Sequence, residues 1–154
     1  MPSDPELSTE DLAEVAFGCA CASVRRVARA LTRAYDEALR PTGLTITQFS
    51  LLIGAALADG PSIGRLAEVL GFERTTVTRD LRPLRERGLV EVRAGEDRRS
   101  RLVEITPAGR RAVADALPRW REAQARVLAD ERAQTWPGLA AGLLELERSA
   151  RAAA

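Results

Sequence analysis

The strongest constraint on the fold lies between Ser62 and Thr106. Ser62 is placed to cap "IGRLAEVLG", in which Ile63, Leu66, Ala67 and Leu70 recur on one side and Gly71 stands just past the end. After "GFE", the stretch "RTTVTRDLRPLRERG" puts Val77, Leu81 and Leu84 on one face, with Thr75, Thr76, Thr78, Arg79 and Arg82 on the others. Then "GLVEVRA" and "SRLVEIT" alternate apolar and polar residues (Leu89, Val90, Val92; Leu102, Val103, Ile105), and the turn-forming "GEDRR" joins them. The order is helix, short turn, helix, two-stranded ribbon.

That is the order of a winged helix-turn-helix, in which one helix props the next into the major groove while the ribbon reaches a neighbouring groove or the backbone. The residue types suit that task. Thr75, Thr76 and Thr78 offer short hydroxyls for phosphate or base edges, and Arg79 and Arg82 can neutralise phosphate or fork onto guanine. An arginine-rich helix taken alone is more often a solvated face. Its position as second of a tight pair, ahead of a hairpin, shifts the reading to DNA contact. Pro83 falls inside this helix, where it removes a hydrogen bond at a cost of roughly 3 kcal/mol, which predicts a bend near Asp80 to Arg82.

The flanks read as helices. Residues 1–10 form a flexible lead-in whose "STED" caps the first of them. From Asp11 to Leu39 apolar residues recur at helical spacing, including Leu12, Val15, Val24, Val27, Leu31 and Tyr35, which predicts one long helix. "RPTGLT" breaks it, Thr45 or Thr47 caps a helix through "QFSLLIGAALA", and "DGP" stops that one. Thr106 followed by Pro107 is a cap and a proline at the first helical position, opening a helix into the 120s with a bend at Pro118. A last helix comes after "TWPG", from about Leu139 to Arg148. The fold class is mainly α with a small β-hairpin. It divides into a lead-in at 1–10, an N-terminal dimerisation helix at 11–44, a winged helix-turn-helix at 45–106 and C-terminal dimerisation helices at 107–154.

Composition bears on partners through distribution, not totals. The 154 residues hold 23 basic against 22 acidic side chains, so the chain is no polycation that binds nucleic acid by bulk charge. The charge is segregated: residues 1–24 carry five acids and no base, whereas residues 61–110 carry eleven arginines and eight acids. Every basic residue is Arg, suited to phosphate and guanine, though a GC-rich coding bias gives the same result and the point weighs little. No apolar run approaches the roughly 18 residues of a membrane span, and no early stretch has the order of a signal peptide. A cytoplasmic protein with no membrane partner is expected.

The stretch "LTITQFSLLIGAALADGPSIGRLAEVLGFERTTVTRDLRPLRERGLVEVRAGEDRRSRLVEITPAGR", residues 44–110, resembles the multiple antibiotic resistance regulator (MarR) family of bacterial transcription factors, most closely at "GLV" and "DRRSRLVEITPAG". The resemblance implies a triangular homodimer, paired through N- and C-terminal helices, that presents two recognition helices to a palindromic operator and usually represses. Half-sites about 34 to 36 Å apart are expected from that symmetry. Independent support for a dimer is the Leu12 to Leu39 stripe, longer than a compact winged domain covers by itself. Asp97 and Arg99 match the family's Asp-x-Arg wing motif, in which the arginine enters the minor groove and the aspartate supports the wing. Arg98 beside them is a phosphate contact on this reading.

The resemblance also implies release by a signal. A small aromatic or anionic effector would sit between the dimer helices and the winged domain, where Arg26, Tyr35, Phe49 and Trp120 are candidates; for Phe49 and Trp120 core packing is the competing reading. A thiol switch through Cys19 or Cys21 would need an exposed, reactive sulfur beside an arginine such as Arg25 or Arg26. Two cysteines two apart on a helix point about 200 degrees from one another, which argues against an intrasubunit disulfide and leaves small apolar packing as the alternative. No metal site or cofactor is expected, since the chain has no histidine. The same lack removes the usual base of a thiol enzyme, and no nucleophile elbow or phosphate-binding glycine loop is present, so no enzyme is expected. A winged domain used for protein contacts alone stays open as the alternative.

Overall fold

A computed structural model describes residues 7–95, 100–129 and 136–153. The chain divides into two compact units, Met1–Ala34 and Tyr35–Ala154. The first unit holds α1 (Thr9–Gly18) and most of α2 (Ala20–Leu39). Ser8 starts α1 through a capping box: its hydroxyl accepts from the Asp11 amide at 3.0 Å, and the Asp11 carboxylate accepts from the Ser8 amide at 3.1 Å. The Ser8 hydroxyl, and then its amide, hold the Asp11 carboxyl below the usual carboxylate range.

The single helix expected from Asp11 to Leu39 is in fact two. Gly18 ends α1, Cys19 takes an extended conformation (φ −67°, ψ 110°), and the helical ladder restarts as the Ser23 amide bonds the Cys19 carbonyl. Glycine is a weak helix former, and an apolar stripe passes over such a break without losing its period. Cys19 therefore stands outside the helix that carries Cys21, and the divergence expected of two helical positions does not apply to this pair.

The second unit begins at the last turn of α2 and a short 3-10 turn, Arg40–Thr42, closed by Gly43 in the left-handed region (φ 69°). Thr45, not Thr47, caps α3 (Ile46–Leu57), with Gln48 completing a capping box. Ser62 caps α4 (Ile63–Leu70) by accepting from the Arg65 amide at 3.1 Å, and Gly71 ends it at φ 66°. Helix α5 (Arg74–Glu86) runs through Pro83 to its end. Strands β1 (Val90–Ala94) and β2 (Arg101–Ile105) pair antiparallel with Val90 opposite Ile105 and Val92 opposite Val103. The Pro61 carbonyl accepts from Val103 at 2.9 Å, so the loop before α4 lies along the outer edge of the ribbon.

Helix α6 (Pro107–Val127) starts as expected, with the Thr106 hydroxyl accepting from Gly109 at 3.0 Å and donating to the Gly88 carbonyl at 2.7 Å. Gly109 is required here: a Cβ would stand 2.1 Å from the Leu89 carbonyl oxygen. The last helix, α7 (Trp136–Ala152), is longer at both ends than expected; its earlier start places Pro137 in the first turn, where a missing amide costs nothing.

One core serves the second unit. Leu39, Leu51, Leu52, Leu66, Val77 and Leu84 lie at its centre with Val90 and Val103 of the ribbon, and the half-buried Ile63, Val92 and Trp120 pack around them. The apolar face of α5 is thus clamped among α3, α4 and β1, and its opposite face is left to solvent.

Candidate nucleic-acid interface

Burial of Val77, Leu81 and Leu84 fixes which way α5 turns its polar side. Thr75, Thr78, Arg79 and Arg82 are all exposed, and their spacing of three, four and seven puts them on one face; Thr76 is half-buried. Of the five residues expected on this helix, four therefore form one outward stripe of hydroxyls and guanidiniums. Thr78 donates its hydroxyl to the Arg74 carbonyl at 2.9 Å, leaving its oxygen lone pairs as acceptors.

The arginines are held loosely. Arg79 reaches Asp80 at 3.2 Å and Arg82 reaches Glu86 at 2.9 Å, both guanidiniums largely in solvent. Exposed pairs of this kind contribute little, so either guanidinium can exchange its carboxylate for another anion at small cost. Glu73 precedes α5 without a side-chain capping bond, whereas α1, α3, α4 and α6 are each capped by a serine or threonine. The first-turn amides of α5 are thereby left without a side-chain cap at the end of the helix that carries Thr75.

Arg85 joins the candidate interface although it is not among the residues expected from the sequence. It lines, with Arg82, Thr78, Leu81, Ile63 and Val92, a cleft of about 250 Å³ where α5 meets the ribbon. Its place seven residues after Thr78 on the same helix was the available signal.

The ribbon has its own electrostatics. Glu91 and Glu104 stand directly opposite each other, a like-charge pair that disfavours the sheet. Arg93 offsets it, reaching Glu91 at 2.8 Å and Glu104 at 3.3 Å, and its guanidinium is held further above its already high range, first by the hydrogen bond to Glu91 and then by the charge of Glu104. Gly95 bonds the Ser100 carbonyl at 2.9 Å, the last described rung before the tip. Asp97, Arg98 and Arg99 lie outside the described residues.

The effector candidates separate. Phe49 and Trp120 come together with ring centroids 6.5 Å apart and planes at 25°, and with Ser50, Ile53, Leu70 and Leu117 they line an apolar cleft of about 300 Å³. Tyr35 instead donates its phenol to the Gln124 side-chain oxygen, and burial pushes its pKa up, keeping the phenol protonated. Arg26 is exposed and belongs to the first unit. Cys19 is half-buried and Cys21 exposed, with the Arg25 guanidinium 3.6 Å from the Cys21 sulfur. Among the described residues no cluster of three or more metal-ligating side chains occurs, and no helix is long and apolar enough to cross a membrane.

Comparison with known proteins agrees with this architecture. A model of the MarR family matches residues 42–100, from the 3-10 turn to the far end of the ribbon tip. The transcriptional regulator MosR of M. tuberculosis, solved in complex with DNA, is 45% identical, with a TM-score of 0.79 over 88% of this chain and 98% of the MosR chain. CouR from Rhodococcus jostii RHA1, solved bound to p-coumaroyl-CoA, is 27% identical, with a TM-score of 0.70 over 80% of this chain and 87% of its own. The HTH-type transcriptional regulator YwoH of Bacillus subtilis is 29% identical over 109 residues, 71% of this chain and 80% of YwoH. The helix pair, the ribbon and the near-complete match to MosR lead to one conclusion: this chain belongs to the MarR family of transcriptional regulators.

Proposed function

We propose that the protein is a homodimeric repressor that binds a palindromic DNA operator and leaves it in response to a small-molecule or oxidative signal. The observation that carries the DNA reading is the stripe of Thr75, Thr78, Arg79 and Arg82, held outward by the burial of Val77, Leu81 and Leu84. Such a helix reads base edges in the major groove while its arginines neutralise phosphate. Arg98 and Arg99 at the wing tip, with Asp97 as support, extend the contact to the backbone and minor groove. The DNA complex of MosR supports this reading. Pairing of two copies rests on the exposed apolar residues of the terminal helices, Leu12, Val15 and Phe17 of α1 and Leu139, Leu143 and Leu144 of α7.

Selection of bound sequences from a random duplex pool tests the proposal. An inverted repeat with half-sites about one helical turn apart is expected, with affinity that falls linearly on a logarithmic salt axis. Absence of any enriched sequence, together with a flat salt response, would leave a protein-interaction module instead.

For release, the Phe49–Trp120 cleft is the site with the chemistry for a flat aromatic ligand, and CouR with p-coumaroyl-CoA supports that use. The oxidative input has its own observation, an exposed Cys21 beside Arg25. Peroxide treatment should give a disulfide-linked dimer on a non-reducing gel that Cys19→Ser or Cys21→Ser removes. If neither substitution changes the gel, the cysteines serve packing alone.

A further inference from the structure

Arg87 is the residue just past α5, and it does something that none of the other arginines on that helix does. Its Nη1 donates to the Gly43 carbonyl at 2.7 Å and its Nη2 to the Thr42 carbonyl at 3.3 Å, across a separation of more than forty residues. A Cβ on Gly43 would stand 3.6 Å from both nitrogens, so the guanidinium lies packed against the turn and bridges two successive carbonyls. A planar fork of donors is what such a pair requires; an ammonium offers one point of attachment.

The turn it grips is itself firmly held. The Thr42 hydroxyl donates to the Leu39 carbonyl at 2.7 Å, the Asp36 carboxylate accepts from the Ile46 amide at 2.7 Å, and Leu39 and Leu44 on either side are buried. Within α5 itself the attachments are the apolar contacts of Val77, Leu81 and Leu84, which fix the depth of the helix but have no direction; just beyond it, Thr106 bonds the Gly88 and Leu89 carbonyls and so fixes the start of the ribbon. The N-terminal end of α5 has no side-chain cap. The Arg87 fork is the directional tie from this end of α5 to the Thr42–Gly43 turn, and it sits at the end of the helix remote from Thr75 and Thr76.

We propose that Arg87 is a positioning residue for DNA recognition: by fastening the C-terminal end of α5 to the turn at Thr42 and Gly43 it sets the angle at which Thr75, Thr78, Arg79 and Arg82 meet the groove, without touching DNA. This rests on the DNA-binding reading above. Because the fork is exposed, its loss costs the fold little, whereas a recognition helix must be held within a fraction of an ångström.

The test uses the full chain as Arg87→Ala and Arg87→Lys, with binding to the selected operator and to unrelated duplex measured from about 50 to 200 mM salt. Both variants should bind the operator about tenfold more weakly, as expected if the untied helix holds its docking angle only about a tenth of the time. Binding to unrelated duplex, the salt slope and the melting temperature should stay as in the parent. Lysine keeps the charge but loses the fork, so it does not rescue. A slope lower by about one with rescue by Lys makes Arg87 a phosphate contact and overturns the proposal; so does operator affinity equal to the parent. If Arg87→Ala does not fold, Arg87→Lys gives the same discrimination. Failure of the parent chain to select any sequence overturns the DNA reading and this inference together, whereas a selective parent with indifferent variants overturns this inference alone.

Discussion

Val77, Leu81 and Leu84 of α5 and Leu139, Leu143 and Leu146 of α7 share the same spacing, four residues and then three. The first set is 0 to 3% exposed, and the second 40 to 55%. Identical apolar patterns therefore meet opposite fates. Helix α5 lies against α3, α4 and β1, so its stripe is closed within the chain. Helix α7 has no buried residue at all, and α1 resembles it, with Phe17 82% exposed. A leucine left in water forgoes roughly 1.5 to 3 kcal/mol that burial would supply, so the terminal stripes are the surfaces on which the proposed pairing of two copies would gain stability. The winged region, complete by itself, can give its outer face to DNA.

That contrast can be broken at several points. The largest effect is expected inside the closed stripe: Leu81→Ala should lower unfolding free energy by about 2 to 5 kcal/mol, read from urea melts, because a side chain only 3% exposed is removed from the core beneath the cleft. A loss under about 1 kcal/mol would show that α5 repacks freely, contrary to its role as a fixed platform.

On the open stripe the same comparison predicts a different readout. Leu143→Glu combined with Leu146→Glu should weaken self-association by about a hundredfold, near 2.7 kcal/mol, in sedimentation equilibrium, while a monomer with native far-ultraviolet dichroism persists. Unfolding instead of dissociation would mean that α7 is part of the core of its own chain.

The wing sharpens the comparison next. Arg99→Ala should weaken operator binding by about 1 to 3 kcal/mol with dimerisation unchanged; unchanged anisotropy titrations would remove Arg99 from the interface. The smallest effect concerns the start of α1. The Asp11 carboxyl has a lowered pKa in the folded chain, so its contribution is complete above the ordinary carboxylate value of about 3.9 and is lost as pH falls through the lowered one. Protection of the Ser8 amide, measured as exchange relative to its intrinsic rate at each pH, should fall in that acid window in the parent and show no such step in Asp11→Asn.

Much of this was legible because the signals are local. Ser62, Gly71, Thr106 and Pro107 mark element ends through bonds to neighbours one turn away, and each falls where expected. Alternation in "GLVEVRA" and "SRLVEIT" marked the two strands of the hairpin, and the structure adds the register in which Val92 faces Val103. The break at Cys19 escaped because the apolar period continues across it, and the extension of α7 to Trp136 because Pro137 reads as a breaker unless its place in the first turn is known. Arg85 and Arg87 escaped for another reason: what matters about them is what lies opposite, the ribbon in one case and the Thr42–Gly43 turn in the other.

The order of elements, their caps and the polar stripe of α5 are written in residue order, since each arises from preferences acting within a turn or two of helix or along one hairpin. Which apolar stripes close, which aromatic residues meet and which arginine ties α5 to a distant turn emerge only from the folded chain. Those outcomes depend on which surfaces are brought within a few ångströms of one another, and spacing along a chain carries no measure of that distance.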